Sequence, residues 1–185
     1  MAHANNGRIA FNKEMCMEAL ANRRPARPAV PPFDLTASLD RTHREVAVQL
    51  ERLYELLNRI EAEGADAQTR AQAEAICAFF GGQARAHHED EEEQVFPLLL
   101  AQGDAALVQQ VKRLQQDHGW LEEDWLELGP QLSALAAGYT GYDLELLRQG
   151  FIVFADLYME HIALEEGQVF PAARPLLAAR QPVAA

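Results

Sequence analysis

Cysteine is scarce: the 185 residues contain two, Cys16 and Cys77. Two isolated thiols make neither a disulfide framework nor a zinc-ligand cluster, and they suit a reducing compartment. Long apolar runs are missing as well. None approaches the roughly 18 residues of a membrane span, and the opening MAHANNGRIAFNKEMC holds no stretch that would serve as a signal sequence. The expectation is a cytoplasmic protein with no membrane partner. Positive charge is in deficit, since 16 Lys and Arg face 28 Asp and Glu, a formal balance of −12 with the six histidines neutral. Nucleic acid would be approached against like charge, so it is not expected as a partner either.

What is present suffices for a core. Apolar residues make up 49% of the chain and charged residues 24%, too apolar a mixture for disorder throughout. A domain of about 150 residues buries about 70% of its unfolded surface, so no disulfide or metal is obligatory for folding. Arg23, Arg24, Pro25, Arg27, Pro28, Pro31 and Pro32 form a stretch that a regular helix or strand ladder does not tolerate. The expected division is an N-terminal extension and linker at 1–33, a bundle at 34–178 and a short tail at 179–185. Residues 9–20 suit a helix, but one too short to hold without docking.

After Asp34 the apolar residues fall into spacings of three and four, broken near Gly64, Gly103 and residues 138–141. The first series is His43, Val46, Leu50, Leu53, Leu57 and Ile60. The second is Cys77, Phe80, Ala84, His87, Glu91, Val95 and Leu98. The third is Leu107, Val111, Leu114, His118, Leu121, Trp125, Leu128 and Leu132. The fourth is Leu144, Leu147, Phe151, Phe154, Tyr158, His161, Glu165 and Val169. Each is the inward stripe of a bundle helix, and short connections make consecutive helices antiparallel neighbours. The fold class predicted is all-α, an up-down-up-down four-helix bundle with a histidine on every helix.

An internal repeat carries the chemistry. HHEDEEEQVFP from His87 and HIALEEGQVFP from His161 share the His, two consecutive Glu, and Gln-Val-Phe-Pro. A Glu four residues after a His lies one turn away on the same face, so one helix offers a nitrogen and an oxygen together. In an antiparallel hairpin two residues are level when they are equidistant from the turn. The midpoint of His43 and His87 is residue 65, beside Gly64. That of His118 and His161 falls between Tyr139 and Thr140, and that of His87 and His118 falls near Gly103. His43, His87, Glu91, His118, His161 and Glu165 therefore meet in one layer of the core.

Buried without partners, such groups would cost several kcal/mol each. Six donors are too many for one metal ion and about right for two, with two histidines on each ion and both glutamates shared. Such a set leaves positions for a solvent-derived oxygen bridge and a small ligand. Mixed imidazole and carboxylate ligation suits iron first, then manganese or zinc. The Glu-x-x-His pattern of ferritin-like bundles is absent: Ala84, Gln115 and Tyr158 precede His87, His118 and His161 by three residues.

At residues 34–178 the chain resembles the hemerythrin-like, or HHE cation-binding, family, through His43, the two His-x3-Glu-Glu-x2-Val-Phe-Pro segments and His118 between them. The resemblance implies a four-helix bundle around a non-haem di-iron centre, oxo-bridged, held by the same six residues. Oxygen-carrying hemerythrins have a second histidine where Glu91 stands. With glutamate there the chain is more similar to the iron-centre repair di-iron proteins and to hemerythrin-like iron or oxygen sensors. The repair proteins carry a cysteine-containing N-terminal domain, whereas here about 33 residues with Cys16 precede the bundle. The activity expected is binding or reaction of O2, NO or peroxide in sensing or in oxidative or nitrosative stress protection. The alternatives are iron delivery to damaged iron centres and a helical interaction module with a structural metal.

The remaining features have plainer readings. The acidic run at 89–93 is a solvated face apart from Glu91, with Glu92 able to replace or support it. His3 and His88 are expected on the surface, Trp125 and Phe154 in the core, and Cys77 as a buried apolar filler. Tyr158 is a packed aromatic about one turn from His161, with a hydroxyl within reach of a bound ligand. Gly81, Gly82 and Gly119 interrupt helices, for a gas channel or for close helix approach. Pro130 kinks the third helix or ends it.

Overall fold

The computed structural model describes residues 32–180. His3, Cys16, the helical candidate at 9–20 and residues 181–185 lie outside the described residues. No strand occurs among the described residues, and none of their helices is long and apolar enough to cross a membrane.

Four rods make the bundle. The first is α1 (Pro32–Glu63). It begins inside the stretch expected to be non-helical, because a proline in the first turn gives up only an N–H that has no intrahelical acceptor. The second rod strings together α2 (Ala67–Ala78), a wide π-helical turn at Phe79–Ala84, α3 (Arg85–Asp90), a second π turn at Glu91–Val95, and α4 (Phe96–Gln102). The third is the unbroken α5 (Ala105–Ala136), which runs through Pro130, so that proline does not end it. The fourth is α6 (Leu144–Leu164), a π turn at Glu165–Val169, and α7 (Phe170–Ala179).

The turns fall where glycine places them, and aspartates restart the helices. Gly64 and Gly138 both adopt φ of +81°, the left-handed conformation that ends a helix without a Cβ clash. Asp66 then accepts from the Thr69 backbone N–H while Thr69 Oγ1 accepts from the Asp66 N–H, a reciprocal cap. Asp104 and Asp143 accept in the same way from Leu107 and Leu146. The first and third rods each pack against the second and the fourth.

Two apolar clusters fill the interior, one above the other. One gathers Val46 to Ile60, Ala73 to Ala84, Leu121 to Leu135 and Leu147 to Ile162; the other gathers Leu35, Leu39, Val95 to Leu99, Val111, Leu114 and Val169 to Leu177. His43, His87, Glu91, His118 and Glu165 fall between the two sets along their own rods, and His161 lies at the border. The polar residues thus form a layer between two hydrophobic blocks.

The repeated proline explains the repeated π turns. Pro97 and Pro171 have no N–H to give to the carbonyl four residues back, and their rings crowd it, so the helix opens just before them. The Phe96 N–H reaches back five residues to the Glu91 carbonyl, and the Phe170 N–H likewise reaches Glu165. The π turn at Phe79–Ala84, which contains Gly81 and Gly82, corrects one expectation. It carries the inward stripe from Ala84 to both Phe79 and Phe80 and on to Ile76, so Ile76 is buried and Cys77 stands half-buried at the border.

Candidate metal centre

The structure brings all six predicted side chains together. His43, His87, Glu91, His118, His161 and Glu165 are each less than one-tenth exposed. His43 Nε2 lies 3.0 Å from His87 Nε2. Glu91 directs Oε1 to His87 Nε2 at 3.2 Å and Oε2 to His118 Nε2 at 3.4 Å. Glu165 directs Oε2 to His43 Nε2 at 3.1 Å and Oε1 to His161 Nε2 at 3.2 Å. Each carboxylate therefore places one oxygen beside His43 or His87 and the other beside His118 or His161.

Two of the outer nitrogens are held by carboxylates that stand beside the inward stripe. His43 Nδ1 donates to Glu166 at 3.1 Å, and His118 Nδ1 donates to Glu92 at 3.0 Å. His161 Nδ1 faces the buried Asp117 at 3.9 Å. Glu92 is thus a support for His118 and not a replacement for Glu91. Glu166 and Asp117 were missed; the Glu-Glu doublet common to both repeats was the available signal for the first. A carboxylate on Nδ1 fixes the tautomer that leaves Nε2 free to bind a cation.

One expectation fails. His88 is not on the surface: its ring is half-buried, stacks on His118 with centroids 4.1 Å apart, and has its Nε2 sealed from solvent without a partner. Donor atoms of His88, Glu91, His118 and His161 lie within 4.8 Å of one another, and so do those of His43, His87, Glu91 and Glu165.

The hemerythrin HHE cation-binding domain matches residues 34–173. The chain belongs to this family. An uncharacterized protein of Haemophilus influenzae is similar, at 30% identity over 125 residues covering 67% of this chain and 70% of that one. No solved structure matches the chain.

The interior of this HHE bundle is rich in polar atoms without partners. Both oxygens of Glu91 and of Glu165, His118 Nε2 and both nitrogens of His161 are buried and make no hydrogen bond of proper geometry. Proteins bury such atoms rarely, and a cluster of them calls for an ion or water to satisfy it. The donor set fits a metal of intermediate hardness. Burial pushes His87 down to about 3, helped by His43, and lowers His118 and His88 too, so these imidazoles are neutral and able to ligate. Burial raises Glu91 well above the carboxylate range, with Glu165 adding to it. Burial would raise Glu165 as well, but His161 and His43 outweigh it and hold that carboxyl well below the usual range. His161, lowered by burial but raised more by Glu165, sits at about 9.

A groove of about 360 Å³ leads from the surface to one side of the layer. It is lined by Phe80, Trp125, Phe154 and Tyr158 and, at the polar layer, by His88 and His118. Trp125, expected in the core, is only partly buried and lines this groove. Phe154 and Tyr158 are buried as expected. Gly119 opens into the groove: a Cβ there would meet nothing within 4 Å, and the same holds at Gly82, so neither glycine serves close helix approach.

Proposed function

We propose that His43, His87, Glu91, His118, His161 and Glu165 hold a non-haem pair of iron ions, and that the protein binds or reacts with a small ligand, O2, NO or peroxide, in sensing or in oxidative or nitrosative stress protection. The carrying observation is the pair of buried carboxylates, each with one oxygen on either histidine group and none satisfied within the protein. Bound there, two iron ions would supply Lewis acidity and one-electron chemistry toward such a ligand. The histidines present Nε2 inward, while Glu92 and Glu166 hold two of them by Nδ1. The apolar clusters on both sides exclude bulk water, which strengthens electrostatic interactions inside the layer. The groove supplies a route for a small molecule to His88 and His118.

Metal analysis and optical spectroscopy test the reading. Purified protein is expected to hold about two irons per chain, with a charge-transfer band that responds reversibly to O2 or NO. Rapid loss of iron on reduction or NO exposure would shift the reading to iron delivery. A chain that takes up no metal, and whose stability ignores added metal, would leave a helical interaction module.

A further inference from the structure

On the reading of the cluster as a two-ion centre, on which this rests, we propose that His88 is a fifth imidazole donor, giving the groove-side ion three histidines where the inner ion has two. Consecutive residues on a helix point about 100° apart. The second rod lies between the first and the third, so His87 faces His43 across one interface while His88 faces His118 across the other. The ring centroid of His88 is 4.1 Å from that of His118 and 5.5 Å from that of His161. These spacings bracket the 4.8 Å found for both His43 with His87 and His118 with His161.

A donor atom of His88 lies within 4.8 Å of donors on Glu91, His118 and His161, and its Nε2 is buried with no other partner. A ring that served only to fill space would leave that nitrogen unsatisfied, at a cost an apolar side chain avoids. The two halves are therefore unequal. His43, His87, Glu91 and Glu165 surround the inner ion, away from the groove. His88, His118 and His161, with the far oxygens of the two glutamates, surround the ion beside the groove, which His88 and His118 line.

Zinc is a suitable diamagnetic probe. Long-range proton–nitrogen NMR of the zinc-loaded full-length protein, with labelled histidine, is expected to show a metal-bound ring nitrogen in five of the six histidines; four would overturn the proposal. His88→Phe keeps a flat ring against His118 and removes the donor. It is expected to bind one zinc like the parent chain and the other more than about 100-fold more weakly, beyond what loss of an outer partner costs. Two zinc ions bound by His88→Phe with unchanged affinity would also overturn it and leave the centre itself standing. Failure of the parent chain to take up zinc would instead remove the centre. If His88→Phe does not fold, the histidine count on the parent chain still decides.

Discussion

Glu91→Met separates a metal-ligating carboxylate from an ordinary core residue by the sign of its effect. Glu91 is 0% exposed, and neither oxygen makes a hydrogen bond. Without metal, a buried unsatisfied polar group costs about 1–3 kcal/mol. Methionine matches the length and volume of the side chain and removes that penalty, so the metal-free variant is expected to be more stable by about that amount. At roughly 2–4 °C per kcal/mol for a domain of this size, melting rises by roughly 2–12 °C. With metal the order reverses. On the proposed two-ion reading, an ion present at 100 times its dissociation constant adds about 2.7 kcal/mol per site to the parent chain, and the variant is expected to forfeit much of it at both, since Glu91 lies against His87 and His118 alike. The assay is thermal unfolding by circular dichroism, in chelator and in excess zinc or ferrous iron. Leu114→Ala is the control, since Leu114 is 0% exposed in the apolar block; it is expected to lose about 2–5 kcal/mol in both conditions. A Glu91→Met protein that is less stable than the parent in chelator, or equally stabilised by metal, refutes the reasoning.

Glu92→Ala frees His118 Nδ1 and is expected to lower metal affinity about 10–100-fold while metal-free melting stays nearly constant, measured by competition with a chromophoric chelator. Gly119→Ala meets no neighbour and is expected to gain up to about 1 kcal/mol in urea unfolding, the helix propensity of alanine over glycine. Gly119→Trp fills the groove, so NO association in stopped flow is expected to slow at least about tenfold at unchanged metal content. Asp66 has its pKa lowered below 3.8, first by the Thr69 backbone N–H, so its stabilisation is present above pH 3.8 and fades as pH falls through the folded value. The melting advantage of the parent chain over Asp66→Asn is expected to shrink below pH 3.8 and to be constant above it.

The layer of six donors was legible because helical spacing and turn position are both linear in residue number. Gly64, Gly103 and residues 138–141 mark the turns, and equal distances from a turn mean equal heights, whatever fills the core between. Local widening of a rod is not linear in this way. The π turns before Pro97 and Pro171, and the one at Phe79–Ala84, insert backbone that a fixed step of three or four ignores, which is why Cys77 was placed on a stripe that Ile76 occupies.

His88 was missed for a different reason, and the same reason hid Glu166. The seam was treated as one line per helix, so a residue 100° off it was assigned to solvent. A rod flanked by two neighbours buries a stripe at least about 100° wide, and its two edges face different partners. His87 and Glu91 look toward one side and the middle; His88 and Glu92 look toward the third rod, where they meet His118 at its ring face and at its Nδ1. On the fourth rod Glu165 turns inward while Glu166 reaches the first rod and His43 Nδ1. In each repeat the residue next to an inward donor therefore serves a histidine on a neighbouring rod. The doubled Glu-Glu of both segments, and the doubled His of the first, are what this geometry writes into the sequence.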